Sequence, residues 1–390
     1  SYNCAYGYNS LNALTTADEN AAFGYSTMVN TTTGHSNTAC GPFALQENTT
    51  GTYNTAVGHS TLRRCSTGHH NIALGHAAGD HVTTGEHNVM IGRNAGTDIS
   101  TGHSNVVIGY GAGADVTSNS NVFVGRSAGN TMTTGAGSVA VGAYALSTMT
   151  TQHQNTAIGY KALQDSIGND NVAVGYHAGV EITTGTQNTC IGTYAGDNLT
   201  TQSSNTFVGH NAGAGNVAGS VNTYLGLNAG ANMTSGSYNI CLGYASNSSS
   251  NTSDGQCTLG DANIGTLRCN TQTISALSDR RDKTDIVDLP IGLDFVNTLQ
   301  PRKFKWQTRD GNIKDGSVRA GFIAQELQEA QSDCDYMQLV LDDNPDKLEA
   351  SEGNLIPVLV QAIKDLSTQN AELKSLIKNS ASFVKLKSSL

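Results

Sequence analysis

The 390 residues carry 21 Lys+Arg against 31 Asp+Glu, and charged side chains make up only 13% of the chain, while glycine reaches 44 and proline only 5. That balance offers no basic stripe to neutralise phosphates, which argues against nucleic-acid binding, and no apolar run is long enough for a membrane-spanning helix. A chain rich in Gly, Asn and Thr is often disordered, but a hydrophobic share of 37% and a strict internal spacing argue for order.

The spacing is visible from Asn71-Ile72-Ala73-Leu74-Gly75. The same phase places glycine at 7, 24, 41, 58, 75, 92, 109, 125, 142, 159, 175, 192, 209, 226 and 243, a step of 17 residues with two units of 16. An Asn stands four residues before each of these glycines, except that Ser138 takes the place once. Runs such as Val89-Met90-Ile91 and Val172-Ala173-Val174 are too short for a helix and suit a brief strand. Glycine then permits a sharp bend or a close backbone approach. Ala95, Ala112, Ala128, Ala178, Ala195 and Ala212 share one small slot, and Thr-Thr-Gly at 83–85, 133–135 and 183–185 supplies a second turn. The pattern predicts two short strands and two corners per coil of a β-solenoid.

One such coil cannot bury its apolar edge alone, whereas stacked coils build a continuous core. At about 4.8 Å per coil, the fifteen coils reach roughly 70 Å. The small inward residues predict a thin core, and three chains sharing an apolar axis would steady it.

The Asn-x-Ala-Ile-Gly-x-x-Ala pattern resembles the left-handed parallel β-roll of trimeric autotransporter adhesin heads and related repeats in phage tail fibres, over about residues 3–246. The unit here is longer than is common in those heads. The resemblance implies an adhesive rod.

Chemistry within the rod has two candidates. All eleven histidines lie there, and His69, His70, His76, His81 and His87 form a dense group that invites a metal. They occupy differing repeat phases, however, so stacked surface side chains are the expected reading, with no metal and no cofactor. Glycan cleavage would need paired carboxylates. Asp80, Glu86, Asp98 and Asp115 are the acidic concentration, but no insertion interrupts the period to form a cleft. The cysteines at 4, 40, 65, 190, 241, 257, 269 and 334 form no CxxC pair and read as small buried hydrophobes.

Beyond Leu277 charge density rises: residues 1–277 hold six Lys+Arg and 13 Asp+Glu, residues 278–390 hold 15 and 18. The expected organisation is a solenoid at 1–246, a linker with capping strands at 247–277, and a third region at 278–390. In that region come Leu277-Ser278-Asp279-Arg280-Arg281-Asp282-Lys283, then Phe304-Lys305-Trp306, then Gly321-Phe322-Ile323-Ala324-Gln325-Glu326. These stretches resemble, in order, the intramolecular chaperone domain of phage endosialidases and related tail spikes. The resemblance implies self-cleavage between Leu277 and Ser278, with Ser278 as nucleophile and Lys283 as its basic partner. Asp279, Arg280, Gly321, Phe322, Gln325 and Glu326 carry the rest of the motif, and either Arg280 or Arg281 fills its arginine place. From the residues alone, Ser-Asp before a helical segment is also an ordinary N-cap.

A helix is predicted over 355–378, with Ile356, Leu359, Ile363, Leu366, Asn370, Leu373 and Ile377 on a heptad seam. Such a seam serves either a coiled coil or an intramolecular core; the family resemblance implies a trimer. The fold expected is thus an all-β parallel β-solenoid (β-roll) of trimeric chains. A smaller, helix-rich α+β chaperone domain follows, ending in a long helix.

The function expected is a homotrimeric viral or phage tail fibre for host attachment. Its partners would be its own copies, a host receptor, with a glycan as one candidate, and virion proteins met through a segment before Ser1. A cell-surface adhesin and a polysaccharide-degrading spike are the alternatives.

Overall fold

The computed structural model describes residues 2–264, 266–268, 278–308 and 314–387, with side chains as far as 379. It divides into two compact units, Ser1–Asp261 and Ala262–Leu390. The first is a parallel β-solenoid of about fifteen turns. Its sixteen three-residue strands, β1 to β16, run from Cys4–Tyr6 to Cys257–Leu259 and pair in strict chain order, each in parallel register with the next. Residue 72 therefore faces residue 89, which faces residue 106.

Each coil has one strand, not the two expected. Beyond the glycine the backbone alternates in hand: Gly58, Ser60 and Leu62 all have positive φ. That alternation forbids a pleat, yet the coils still pair. Ser60 N–H donates to Pro42 O of the coil before (2.9 Å), and Leu62 N–H donates to Ala78 O of the coil after (3.0 Å). Left-handed residues outside glycine each cost about 1–2 kcal/mol, and this hydrogen bonding keeps the buried backbone polar groups from being orphaned.

The recurrent Asn forms a buried ladder. Asn37 N–H donates to Asn20 Oδ1 (3.0 Å), and its own side-chain amide donates to Gly51 O (2.9 Å). At the exception, Ser138 N–H donates to Asn121 Oδ1 (3.0 Å) and Ser138 Oγ accepts from Asn155 N–H (3.3 Å), so serine continues the chain of bonds. Glycine after the strand is obligatory for a different reason. A Cβ on Gly92, whose φ is +129°, would lie 2.7 Å from Gly109 O of the next coil.

The middle residue of each strand points inward: Ala73, Met90, Val107 and Phe123 are fully buried. Ala95, Ala112, Ala128, Ala178, Ala195 and Ala212 are buried too. Core volume is exchanged between slots. Gly213 lets the Phe207 ring in, since a Cβ there would meet that ring at 2.5 Å. These inward side chains form one continuous buried stack within the single chain. The sheet also runs one rung past Gly243, because β16 pairs with Ile240–Leu242 and Gln256 N–H takes Asn239 Oδ1 (2.9 Å) in the asparagine slot. The expected capping strand is thus a continuation of the repeat.

The second unit is smaller. Helix α1 (Leu293–Thr298) is followed by the antiparallel ribbon of β17 (Arg302–Lys305) and β18 (Val318–Gly321). Then come α2 (Ala324–Ala330), the pair β19 (Val340–Leu341) and β20 (Glu349–Ala350), and the long helix α3 (Ile356–Lys387). Phe295, Leu299, Leu327, Leu339, Leu355 and Val358 form its core. Asp365 of α3 accepts the N–H of Leu293 (2.9 Å), satisfying an otherwise free donor at the start of α1. Among the described residues, no helix is long and apolar enough to cross a membrane.

Candidate functional site

Ser278 opens the described part of the C-terminal region, ahead of a single 3-10 turn at Arg280–Asp282. Asp279 caps that turn, accepting Arg281 N–H at Oδ1 (2.9 Å). The Arg281 guanidinium grips the same carboxylate (Nη2 to Oδ2, 2.6 Å) and holds it below the usual carboxylate range. The turn folds the chain back by five residues, which brings Lys283 Nζ to 2.5 Å from Ser278 Oγ as a donor. Of the Ser-Asp pair, Asp279 is the residue that caps the turn, and Ser278 faces the lysine. Asp279 occupies Arg281, leaving Arg280 as the guanidinium without an ion pair among the described residues. Leu277 lies outside the described residues.

The second motif is built separately. Glu326, in the first turn of α2, receives a bidentate grip from Arg302 of β17 (2.7 Å from Nη2 and 3.0 Å from Nε), which lowers its carboxyl and raises the guanidinium. Gly321 ends β18, and the N–H of Phe322 donates to Glu352 Oε1 (3.4 Å) while its ring packs on the core. Gln325 is exposed. Among the described residues, no hydrogen bond or ion pair joins Ser278–Lys283 to Gly321–Glu326. Arg302 was not singled out from sequence; its signal is a basic residue after Pro301 facing Gly321 across the ribbon.

The intramolecular stripe is Val358 and Ala362 of α3 with Leu355 of the 3-10 turn just before it, all buried. The heptad seam lies on another face and is open: Ile356, Leu359, Ile363, Leu366, Leu373 and Ile377 range from 43 to 65% exposed, and Asn370 is exposed among them. These seam residues are not part of the buried core of their own unit.

Residues 278–336 match the family described as the chaperone of endosialidase. Neither the curated proteins nor the solved structures contain a match to the chain. A chaperone domain of this kind behind a β-solenoid makes the chain tail-fibre-like or spike-like, with an intramolecular chaperone at its C-terminal end.

The rod's own candidates are arranged as ladders. His59 stacks on His76 (5.3 Å between ring centres) and His70 on His87 (4.9 Å). His69 instead accepts Thr52 N–H at Nδ1 (3.2 Å). His81 sits between Asp80 and Asp98, and Asp80 is held bidentately by Arg63 (2.8 and 2.9 Å). Asp115 follows Asp98 in the same slot one coil on; burial, then the Asp98 charge, raises its carboxyl. Glu86 stands at a different place on its coil. Asp80 and Asp98 are thus engaged with basic neighbours. Of the cysteines, Cys65, Cys190, Cys241 and Cys334 are buried, and desolvation pushes the thiols of Cys65 and Cys190 up to about 12. Cys4, Cys40 and Cys257 are exposed, contrary to the expectation of buried hydrophobes, because they hold outward strand positions. Cys269 lies outside the described residues.

Proposed function

We propose that this chain is a homotrimeric fibre of a virus or phage that attaches to a host surface through its solenoid, and that its chaperone domain is released by self-cleavage between Leu277 and Ser278. The observation that carries this reading is the Ser278–Lys283 contact, standing at the first residue of the chaperone match. The open heptad seam of α3 supports association through the same domain.

The chemistry follows from the pair. A serine hydroxyl is a weak nucleophile until a base removes its proton, and a lysine amine in its unprotonated form does so. Ser278 Oγ then attacks the carbonyl carbon of Leu277, the C–N bond to Ser278 breaks, and the proton passes to the freed amine. Water hydrolyses the resulting ester, leaving a Leu277 carboxylate and restoring the hydroxyl. Arg280, two residues after Ser278 and without an ion pair among the described residues, is the cation proposed for the developing oxyanion.

Aligning parallel coils from three chains is a slow, non-local folding problem. A C-terminal trimer sets the register, and its removal leaves a rod whose persistence rests on slow unfolding. Receptor, virion partners and location on a tail appendage belong to this proposal.

Intact-mass measurement of the expressed chain tests it. Two fragments meeting at 277/278 are expected, and Ser278→Ala or Lys283→Ala should each leave one uncut chain. An uncut wild-type chain would remove the protease reading, and a monomeric native mass would remove the fibre trimer.

A further inference from the structure

We infer that the outward face of the solenoid sheet is an interface with two further copies of this chain, packed parallel and level with one another. The inference rests on the trimeric reading above and names the surface that the rods use.

The first and third residues of every solenoid strand point away from the core, and no charged residue occupies either row in any of the sixteen strands. The third row is apolar throughout, from Tyr6 to Leu259, apart from the thiol of Cys40. These residues are open in the single chain: Val57 is 40% exposed and Leu225 50%. The rod's charges, such as Arg63, Asp80 and Asp98, lie past the glycine instead.

Parallel sheets are ordinarily covered on both faces, and here only the inward face is covered. Sixteen rungs at about 4.8 Å and a width of about 10 Å give roughly 700 Å². That exceeds the usual largest apolar patch of a monomer, about 300–600 Å².

The occupant follows from the pitch. Strict in-register pairing makes the two rows straight, with one apolar rung per coil. A partner must offer rungs at the same spacing over the whole length, and another copy at the same level does so without further sequence. Charge does not oppose the contact, since the rows hold none.

The three exposed cysteines, Cys4, Cys40 and Cys257, all sit on this face and report its covering. The experiment uses the full chain carrying Cys269→Ser, a maleimide probe, and native mass measured in parallel. The expected result is a trimer in which these thiols react on the order of 100-fold more slowly than in denaturant. Val141→Asp with Val174→Asp, both in the third row, should restore rapid labelling of Cys40 and Cys257 while the C-terminal trimer persists. A trimer with promptly labelled Cys40 would overturn the inference and leave the trimeric reading standing; it is also the outcome expected if a glycan or foreign protein covers this face. A monomer with labelled thiols would overturn both.

Discussion

Asn71 reaches Asn54 Oδ1 twice, from its backbone N–H (3.0 Å) and from its side-chain amide (3.2 Å), and passes its second amide hydrogen to Gly85 O (2.8 Å). Its own Oδ1 then accepts Asn88 N–H (3.1 Å). One side chain thereby satisfies groups in three consecutive coils. Replacing it leaves the buried Gly85 O and Asn88 N–H without these bonds, at about 1–3 kcal/mol for each.

Asn71→Ala is therefore expected to accelerate hydrogen exchange at Asn88 and to lower the melting temperature of the solenoid. Asn71→Ser should fall between the two, because Ser138 shows that a hydroxyl can accept from the next rung. Equal exchange at Asn88 in wild type and Asn71→Ala would mean that the ladder is not what holds the coils in step.

Gly92→Ala tests the other once-per-coil constraint. The added methyl would stand 2.7 Å from Gly109 O on a backbone with φ +129°, and neither atom belongs to a flexible side chain. Adjacent coils would have to separate, so loss of soluble folded protein is expected. Gly353→Ala is the matched control, since nothing lies within 4 Å of its Cβ position, and it should express normally.

These two constraints are why so much of the solenoid could be read in advance. An Asn that must bond in three coils and a Gly that must lack a Cβ recur at fixed phase whatever else varies. The second half of the coil was misread as a strand because its slots hold Ser, Leu, Tyr and Gly in turn, and left-handed φ at Leu62 or Tyr144 leaves no trace in residue type. The inward exchange between Phe207 and Gly213 was likewise hidden, since those residues hold different slots of the same coil. In the C-terminal region, Ser278 and Lys283 were legible through their motif. The separation of Arg280 from Arg281 was not, because it depends on which guanidinium the Asp279 cap can reach.

Asp197 gives a pH dependence. Its Oδ1 is buried without a hydrogen-bond partner, and burial, then the Glu181 charge, raises its carboxyl above the ordinary 3.8, with His177 acting in the opposite sense. A carboxyl raised in the folded state binds its proton more readily there than in the unfolded chain. Its stabilising contribution is thus present below pH 3.8 and is lost as pH rises through the folded value. Asp197→Asn should raise the melting temperature at pH 7 by a few degrees, and the gain should shrink as pH falls towards 3.8. A gain independent of pH would assign the effect to packing.

The two faces of α3 make separable predictions. Val358 is fully buried against the core of its own unit, whereas Ile363 is 65% exposed on the seam. Val358→Ala removes two buried carbons and leaves a small cavity, so it should cost the unit about 2 kcal/mol without changing the mass of the assembly. Ile363→Glu touches nothing in the unit's own core, so the fold should survive. Placed in a coiled-coil seam, however, three buried carboxylates would face one another with no partner, a strongly unfavourable arrangement. Native mass and circular dichroism on the two variants read these effects apart. Ile363→Glu should give folded monomers or a sharply weakened trimer, and a full trimer from that variant would show that the seam faces solvent in the assembled fibre.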